Sequence, residues 1–427
     1  MWRFFYTILF YLIQPIIWLF MLIRSLKAPS YRHRQLERYG FYGKLKAPTK
    51  NGILIHAASV GEVIAATPLI KKLQQQHPHL SVTVTTMTPT GSDRVRQTFG
   101  KTVTNIYLPY DLPGSVKRFL NFIQPKMCIV IETEIWPNLI AQCQQLNIPF
   151  VIVNARLSAR SAQRYGKIKK GIREILQQIT LISAQDQVSA QRYANLGVLK
   201  NHLEIGGNLK FDLNLSPELE KKIQQFKQQI HLQRPIWVAG STHEGEEEII
   251  LEAHKKLLNQ YPNLLLIIAP RHPEHFPEVA TLIEKNNLTY QHRSQQNQQQ
   301  IEHSTQVLLA DTMGELMLMY AIADIAFIGG SLITRGGHNP LEPLAFQIPV
   351  VTGEYTFNFP EIFQKLKEVK GVIEIPANSN ALFTTINELL QSSDLRHQYG
   401  QAGYQVLQQN RGALARLIKS LNPYLEK

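Results

Sequence analysis

The chain has 427 residues, which is too long for a single hydrophobic core and predicts two domains of ordinary size. Its 44% hydrophobic and 18% charged residues exclude an intrinsically disordered protein, and its two cysteines exclude a disulfide-stabilised scaffold and favour a reducing compartment. The net charge is +13, but residues 1–50, with nine Lys or Arg residues and one Glu, contribute +8 of it, so nucleic acid is not expected as a partner.

The first predicted element is a hydrophobic segment over residues 4–23, interrupted only by Thr7, Gln14 and Pro15. Roughly 20 such residues suffice for a helix that crosses a bilayer, and the Lys and Arg residues after the segment would hold the rest of the chain in the cytoplasm. A signal peptide would need more than Arg3 before the segment and a small-residue cleavage site after it. A helix that lies in the membrane interface, bent at Pro15, is the alternative to a spanning one.

Strand-like apolar runs alternate with amphipathic helical stretches along the remaining chain. In the first half the predicted strands lie within residues 51–59, 80–88, 126–134, 148–156 and 180–186. In the second half they lie within residues 235–242, 264–271, 305–311, 323–331 and 347–353. Strands that are apolar on both faces and are followed by helices predict parallel sheets with helices on both sides.

The sequence therefore predicts an α/β protein with two doubly wound, Rossmann-like domains, joined by a linker near residues 211–234. Ligands bind beyond the carboxyl ends of the strands in such sheets, so two facing sheets would bind them in the cleft between the domains. The predicted boundaries are 1–30 for a membrane anchor, 31–212 for the first domain and 213–427 for the second, whose last helix is a candidate to pack back on the first. The Gln-rich loop 291–304 is interpreted as solvated and dispensable.

The corner after the first strand carries Ser59, Gly61 and Glu62. Glycine lets the backbone come close to a ligand, and the amides at a helix N-terminus attract anions. Spacing alone leaves two interpretations of Glu62 open. It complements the dipole at the start of a helix, or it is a general base, since a base needs a carboxylate held on a fixed element at the edge of the ligand site.

Glu132 and Glu134 follow a strand that is otherwise apolar. Residues two apart share a face in an extended chain, so these carboxylates would raise the pKa of one of them unless a cation lies nearby. One of them could cap the next helix, but that role does not need both. Lys210 is a candidate for the cation, with an exposed loop lysine as the ordinary alternative.

The corners of the second half have more basic and amide side chains. Pro270 and Arg271 follow a strand, and arginine is well suited to bind a phosphate or a carboxylate. His272 and His275 lack the further ligands of a zinc site, so no metal is expected. Another strand-to-helix corner carries Asp311, Met313, Gly314 and Glu315.

The last corner, over residues 329–342, combines small residues with polar side chains. The small residues are Gly329, Gly330, Ser331, Gly336 and Gly337, whose amides would be free to bind an anion. Pro340 suits the first position of a helix, where no amide hydrogen is needed. Asn339 and Glu342 are three apart and so share a helix face, from which a carboxylate could accept hydrogen bonds from a ribose diol.

Nine of these segments together resemble one enzyme family. In chain order they are HAASVGEV, TTMTPTGSDR, YLPYD, ETEIWPN, NARLSARSAQRY, GSTHEGEE, APRHPEHF, TMGEL and RGGHNPLEP. The combination closely resembles the 3-deoxy-D-manno-octulosonic acid (Kdo) transferases, from the hydrophobic segment to about residue 360. The resemblance implies a membrane-associated GT-B glycosyltransferase that transfers Kdo from CMP-Kdo to the lipid A precursor of Gram-negative bacteria and inverts the anomeric configuration.

The resemblance also implies roles for individual residues. Glu62 matches the family's catalytic base, and Glu132 and Lys210 match the positions that stabilise the transition state, with Glu134 as the alternative to Glu132. The residues that match the CMP-binding segments are Pro270, Arg271, Met313, Gly314, Glu315, Asn339, Pro340, Leu341 and Glu342. Neither a metal nor another cofactor is expected.

The implied partners are CMP-Kdo, the lipid A precursor (lipid IVA) and the cytoplasmic face of the inner membrane. Two alternatives explain the architecture without the combined motifs. One is another membrane-associated GT-B enzyme, such as a hexosaminyltransferase or a nucleotide-sugar epimerase. The other is a non-catalytic, membrane-tethered nucleotide-binding protein, which would have no use for Glu62.

Overall fold

A computed structural model of the chain describes residues 2–43, 45–213, 217–230, 234–295 and 301–426. The chain divides into two compact units. The first unit comprises Met1–Asp212 together with Arg411–Lys427, and the second comprises Leu213–Asn410. Each unit has its own seven-stranded sheet and its own hydrophobic core.

The first unit is built on a parallel sheet. Its strands are β1 (Ile53–His56), β2 (Val82–Thr86), β3 (Thr104–Tyr107), β4 (Met127–Ile131), β5 (Phe150–Ala155), β6 (Leu181–Ala184) and β7 (Leu203–Ile205). Its first eight helices are α1 (Trp2–Lys27), α2 (Val60–Gln76), α3 (Pro89–Phe99), α4 (Pro113–Ile123), α5 (Pro137–Gln145), α6 (Ala159–Gly166), α7 (Lys169–Leu176) and α8 (Gln187–Leu196). The strand order is β3-β2-β1-β4-β5-β6-β7, so the chain reverses direction across the sheet between β1 and β4.

Successive side chains of the central strands point to opposite faces of this sheet, and both faces are covered. Leu54 of β1 and Val130 of β4 belong to the hydrophobic cluster on one face. Ile55 and Ile129 belong to the cluster on the other face. The strands β1, β4 and β5 are buried at every residue, which explains why their sequences are apolar except for His56 and Asn154 near the carboxyl ends.

The second unit repeats this arrangement with a second parallel sheet. Its strands are β8 (Ile236–Thr242), β9 (Leu265–Pro270), β10 (Tyr290–His292), β11 (Val307–Leu309), β12 (Ile325–Ile328), β13 (Val350–Gly353) and β14 (Ile373–Ile375). Its helices are α9 (Pro217–Ile230), α10 (Glu247–Leu258), α11 (Phe276–Lys285), α12 (Leu316–Tyr320), α13 (Leu341–Leu344), α14 (Pro360–Glu368), α15 (Ser379–Gln391) and α16 (Ser393–Asn410). The order β10-β11-β9-β8-β12-β13-β14 places the reversal between β8 and β12.

The prediction of an α/β protein with two doubly wound parallel sheets is confirmed, and all ten predicted strands overlap observed ones. The strands that the sequence did not predict are β3, β7, β10 and β14, which are the outer strands of the two sheets. Each has only three or four residues, and none is buried throughout. A short, half-exposed strand does not form the continuous apolar run on which the prediction depended.

The last segment of the chain belongs to the first unit. Its helix α17 (Ala413–Leu425) packs against α2 and contributes Leu417 and Leu421 to the cluster around β1. Asp212 accepts hydrogen bonds from the amides of Gly412 and Leu414, and so caps the start of this helix. The second predicted domain, 213–427, therefore shares its final 17 residues with the compact unit formed by the N-terminal half.

The N-terminal helix α1 runs without interruption through Pro15. Trp2–Leu26, with a mean hydropathy of 2.0, is the one helical segment in the described ranges that is long and apolar enough to cross a membrane. A signal sequence meets the same criterion, so length and composition alone do not decide between a signal sequence and a membrane anchor.

Candidate active site

The corner between β1 and α2 is held together by reciprocal hydrogen bonds. Ser59 is the N-cap of α2, and its hydroxyl accepts from the Glu62 amide at 3.4 Å. In return, the Glu62 carboxylate accepts from the Ala58 amide at 2.7 Å through Oε2 and from the Ser59 hydroxyl at 3.1 Å through Oε1. This arrangement resembles a capping box, so the helix-start interpretation of Glu62 describes its contacts correctly.

The pKa of the Glu62 carboxyl is also unusual. Burial raises the pKa of its carboxyl to about 7, and the nearby negative charges of Glu132 and Glu134 also raise it. The hydrogen bonds from Ala58 and Ser59 act in the opposite direction and lower it. A carboxylate that titrates near neutral pH, on the first turn of a helix beside the reversal of the sheet, has the pKa that a general base needs.

Glu132 and Glu134 approach this corner from the end of β4, the strand adjacent to β1. The argument that they share a face of extended chain is wrong, because the strand ends at Ile131 and Glu132 adopts a left-handed conformation with φ of +63°. A non-glycine residue held in this conformation is strained, and such strain is concentrated at functional sites. Burial and, secondarily, the charge of Glu132 raise the pKa of Glu134.

Neither glutamate caps the next helix, α5. Both N-terminal amides there are bound by Asp111, whose carboxylate accepts from Asn138 at 2.8 Å and from Leu139 at 2.9 Å. Asp111 lies in the YLPYD segment, far away in sequence, and its position after the unpredicted strand β3 concealed this role. Glu132 and Glu134 are therefore not helix caps, and both remain candidates for the active site.

The structure places Lys210 beside Glu132, with Nζ 3.5 Å from Oε1. Two asparagine side chains hold the backbone at Leu209 and Lys210. Asn208 accepts from the Lys210 amide, and Asn154, at the end of β5, accepts from the Leu209 amide, each at 3.0 Å. Lys210 is thus a positioned cation rather than a solitary exposed lysine, and Glu62, Glu132, Glu134 and Lys210 form one charged cluster at the switch point of the first sheet.

In the second unit, the prediction of free amides in the glycine corner is wrong for Gly330 and Ser331, which are bound by Glu246, and for Gly329 and Gly337, which donate to backbone carbonyls. The Glu246 carboxylate, which is 0% exposed, accepts hydrogen bonds from the amides of Gly330, Ser331 and Leu332 at 2.6 to 3.0 Å. Further along, the amides of Gly337 and His338 donate to carbonyls of the same loop. The anion bound by this nest of amides is therefore an internal side chain, which the sequence did not identify.

A pair of histidines lies on the surface of this corner. The Nε2 atoms of His243, after β8, and His338, after β12, are 2.8 Å apart, and their ring planes differ by 9°. Burial, reinforced by neighbouring positive charges that include Arg271, lowers the pKa of each to about 4. Both rings are therefore neutral at physiological pH, and one of them donates a single shared hydrogen to the other.

The residues predicted to hold the nucleotide sugar are partly assembled around α13. Asn339 accepts from the Leu341 amide at 3.1 Å and donates to Glu342 at 3.4 Å. Pro340 precedes the helix instead of occupying its first position, because the helix is one turn long and begins at Leu341. Burial raises the pKa of Glu342, and the hydrogen bond from Asn339 and the charge of Arg271 lower it.

The remaining predicted residues lie at the ends of β9 and β11. Pro270 ends β9, and the Arg271 amide donates to the Thr242 carbonyl at 2.9 Å, which ties this corner to β8. Met313 is 59% exposed, and Gly314 adopts a positive φ of +85° that favours glycine. These positions are open to a ligand at the carboxyl end of the sheet.

Glu315, by contrast, is already engaged. Its carboxylate accepts from the Arg293 guanidinium at 3.1 and 3.2 Å and from the Thr312 hydroxyl at 2.6 Å. His292 similarly lies 2.9 Å from Asp311. The prediction of a dispensable 291–304 loop is thus wrong for His292 and Arg293, while residues 296–300 of that loop lie outside the described residues.

Comparisons with known proteins define the class first. Residues 237–406 match the family described as glycosyl transferases group 1. The structure of UDP-GlcNAc 2-epimerase from Neisseria meningitidis bound to UDP-GlcNAc has a TM-score of 0.56 with 14% identity, over 86% of this chain and 100% of that one. That likeness shows the fold alone. Together the match and the fold make the protein a glycosyltransferase of GT-B architecture.

The family follows from the sequence relatives. Residues 33–213 match the family described as 3-deoxy-D-manno-octulosonic-acid transferase (kdotransferase). The 3-deoxy-D-manno-octulosonic acid transferase of Haemophilus influenzae is 58% identical over 427 residues, which are 100% of both chains. The enzyme of the same name from Bordetella pertussis is 32% identical over 98% of this chain and 99% of its own. The chain therefore belongs to the Kdo transferase family.

Proposed function

We propose that the protein transfers Kdo from CMP-Kdo to the lipid A precursor lipid IVA, with inversion at the anomeric carbon, at the cytoplasmic face of the inner membrane. The observation that carries this proposal is the cluster of Glu62, Glu132 and Lys210 at the switch point of the first sheet. In a chain of this family, that cluster combines a base of suitable pKa with a fixed cation.

Glu62 is the catalytic base in this proposal. Its Oε1, which is bound by the mobile hydroxyl of Ser59, takes the proton of the attacking sugar hydroxyl, while Oε2 stays fixed by the Ala58 amide. The acceptor oxygen forms the new bond to the anomeric carbon of Kdo as the bond from that carbon to the CMP phosphate oxygen breaks. Inversion requires the base to act on the face of the sugar opposite CMP.

Lys210 and Glu132 would act on the charge that develops during this step. CMP leaves as an anion, so a fixed ammonium group stabilises the transition state more than the ground state. Glu132, 3.5 Å from the Lys210 ammonium, orients it. Neither residue needs a metal ion for this role, and the change of Glu62 from COO⁻ to COOH balances the single proton that is taken from the acceptor hydroxyl.

The second unit would bind the donor. Arg271 provides a guanidinium suited to the phosphate or the Kdo carboxylate, and it lies near Glu342, the candidate partner of the ribose diol. Pro270, Met313, Gly314, Asn339, Pro340 and Leu341 line the same ends of the strands and complete the proposed CMP site. Glu315 contributes through its contact with Arg293 rather than as a free carboxylate.

The test is mass spectrometry of the lipid product after incubation of the purified full-length protein with CMP-Kdo and lipid IVA. We expect the lipid to gain the mass of one or more Kdo residues, and CMP to be released only when the acceptor is present. The NMR coupling and chemical shifts of the product would show the inverted anomeric centre. Transfer from a UDP-sugar, or binding of CMP-Kdo without any product, would contradict the proposal.

A further inference from the structure

The N-terminal helix α1 packs along the first unit instead of standing apart from it. The indole ring of Trp2 lies directly on Gly171 of α7, where a Cβ atom would collide with the ring. The hydroxyl of Thr7 donates to the amide oxygen of Asn138 at 3.2 Å. The first two turns of α1 are therefore attached to the folded unit by both an apolar and a polar contact.

These contacts continue to the other end of the helix. The hydroxyl of Tyr39 donates to the Gln14 amide oxygen at 3.2 Å. The buried hydroxyl of Ser25 accepts from the Arg32 guanidinium at 3.1 Å. With a spacing of 3.6 residues per turn, the contacting residues fall on one side of the helix along its whole length.

The rest of the helix surface is exposed and apolar. Its exposed large side chains are Phe4, Phe5, Ile8, Leu9, Tyr11, Leu12, Ile16, Trp18, Leu19, Phe20, Leu22, Ile23 and Leu26. The two arginines within α1, Arg3 and Arg24, lie on the side of the unit: Arg3 acts on Asp111, and Arg24 lies 4.5 Å from the Tyr31 ring. An apolar surface of this size on a soluble unit indicates a site of association.

Contacts along the whole helix are incompatible with a helix that crosses the bilayer. A spanning helix is surrounded by hydrocarbon over about 30 Å of its length. The polar groups of the unit that contact α1, such as Asn138 and Tyr39, would have to enter that layer, at a cost of several kcal/mol each. A helix covered by a folded unit on one side and apolar on the other instead lies in the plane of the membrane surface.

A basic segment adjoins the N-terminal end of this helix. Six cationic residues lie on α6, α7 and the turn between them, and all six are exposed: Arg160, Arg164, Lys167, Lys169, Lys170 and Arg173. Residues 160–173 contain no acidic residue, and Glu174 follows directly after them. The segment is fixed next to α1 because Trp2 packs on Gly171, which lies between Lys170 and Arg173.

The same segment reaches the proposed active site. Tyr165, on α6, packs with Trp2 against the core of the unit. Its pKa is raised by burial and, secondarily, by the negative charge of Glu134. The basic segment therefore connects the apolar face of α1 to the cluster that contains Glu62, within one compact unit.

We propose that α1 is a monotopic anchor lying flat in an anionic bilayer surface, and that the basic segment 160–173 binds the headgroups of anionic phospholipids beside it. Cations near such a surface each add to binding, and the attraction is screened by salt. The inference extends the proposed function, which needs a membrane-borne acceptor. Its labelling test does not measure sugar transfer, and its flotation test uses vesicles without the lipid A precursor, so the two proposals fail separately.

The first test measures the position of the N-terminus. Arg3→Cys introduces an exposed thiol, while the native Cys128 and Cys143 are buried and serve as unreactive background. We expect a membrane-impermeant maleimide to label the variant in inside-out inner-membrane vesicles and not in right-side-out ones. A spanning helix with its basic flank in the cytoplasm would give the opposite result and would overturn the monotopic assignment.

The second test measures vesicle binding by flotation of the full-length protein with phosphatidylethanolamine vesicles that contain phosphatidylglycerol. We expect the triple change Lys167→Gln, Lys169→Gln and Lys170→Gln to weaken binding on the order of tenfold or more, and high salt to weaken wild-type binding likewise. The matched control is Lys71→Gln, Lys72→Gln and Lys101→Gln, which removes the same charge from the opposite side of the sheet.

Three outcomes decide this part of the proposal once circular dichroism shows that each variant is folded. Selective loss in the basic-segment variant supports it. Equal loss in both variants, or binding that does not depend on phosphatidylglycerol, would overturn the headgroup site. A dimer that forms through α1 and binds no vesicles would assign the apolar face to a second copy of the chain and overturn the anchor.

Discussion

Glu62 and Glu246 occupy comparable corners of the two sheets, since each follows the first strand of its sheet beside the reversal of strand order. Glu62 accepts hydrogen bonds from its own corner, from Ala58 and Ser59, and its side chain remains partly exposed. Glu246 is fully buried and accepts from three successive amides of the neighbouring loop, residues 330–332. The Glu62 carboxylate is partly open to solvent, whereas the Glu246 carboxylate is enclosed and hydrogen-bonded within the fold.

The order of the strands places a carboxylate at the reversal of each sheet, but it does not determine whether that carboxylate is catalytic or structural. The deciding quantity is the number of fixed donors that the carboxylate satisfies. The Glu246 carboxylate accepts hydrogen bonds from three buried amides. Moving it would leave those amides without hydrogen-bond partners, at a cost in free energy, so we assign Glu246 a structural role. Glu62 has one fixed amide and one rotatable hydroxyl, and can exchange the latter for a substrate.

The comparison is tested most strongly by Glu62→Gln. We expect kcat to fall by about 10²- to 10⁴-fold, the range for loss of a general base, with little change in the affinity for CMP-Kdo. Steady-state kinetics and calorimetric titration with CMP-Kdo measure the two effects. Glu248→Gln, an exposed glutamate at the start of α10, is the matched control and should retain full activity.

The same variant has an expected effect on stability. Because the folded-state pKa of Glu62 is raised to about 7, its ionised form disfavours folding above that pH, and the penalty is absent below the ordinary carboxyl pKa. The melting temperature of Glu62→Gln should therefore exceed that of the wild type at pH 8, with the difference shrinking towards pH 5. A variant with normal turnover would contradict the base assignment, whatever its stability.

Glu246→Ala tests the other half of the comparison. It leaves the amides of Gly330, Ser331 and Leu332 buried without a partner, so we expect the free energy of unfolding to fall by about 3 kcal/mol or more. Denaturant titration measures this change. Glu246→Gln keeps one acceptor oxygen and should lose less. If Glu246→Ala unfolds like the wild type while its turnover falls as in Glu62→Gln, then Glu246 acts in catalysis and the contrast is wrong.

The sequence predicts the inner strands of both sheets well, because a strand covered on both faces is predominantly apolar. It also places Glu62 and Glu132 after two predicted strands, which the structure shows to be neighbours, β1 and β4. Lys210 was named only as a candidate cation, because it follows the unpredicted strand β7. Whether these residues act as assigned stays a prediction. The order of the strands brings Glu62 and Glu132 together, whereas Lys210 reaches Glu132 through loop contacts with Asn154 and Asn208.

Contacts that depend on the path of a loop were not predictable in the same way. Two such contacts are the hydrogen bonds of Glu246 with three amides and the contact between His243 and His338. Each joins segments about 90 residues apart, so no local sequence pattern indicates it. GSTHEGEE offers one usable signal, since its run of acidic residues exceeds what a helix start needs. Arg293 was missed because it follows the edge strand β10, which has no apolar pattern of its own.

A smaller effect is expected on the pH dependence of the reaction. With a Glu62 pKa of about 7, kcat/KM should fall about tenfold per pH unit below neutrality as the base becomes protonated. Glu134→Gln removes a negative charge that raises this pKa. The fall of kcat/KM at low pH (the acid limb of the pH profile) should therefore move to lower pH, while the rate at pH 8 stays within about threefold of the wild-type rate. Glu278→Gln, in α11 of the second unit, is the control and should leave the limb unmoved. A large loss of rate at pH 8 in Glu134→Gln would instead make Glu134, and not Glu132, the residue that acts on the transition state.

The smallest expected effect concerns the donor corner of the second unit. Because burial and neighbouring positive charges lower the pKa values of His243 and His338 to about 4, both rings stay neutral between pH 6 and 8. The affinity for CMP, measured by calorimetry, should therefore change by less than about twofold over this range once the titration of the nucleotide phosphate is taken into account. If the histidines instead had to be protonated to bind the phosphate, affinity would rise steeply as the pH fell below 7. That result would mean that the donor corner of the second unit also titrates in this range. The fall of kcat/KM at low pH could then no longer be assigned to Glu62 alone.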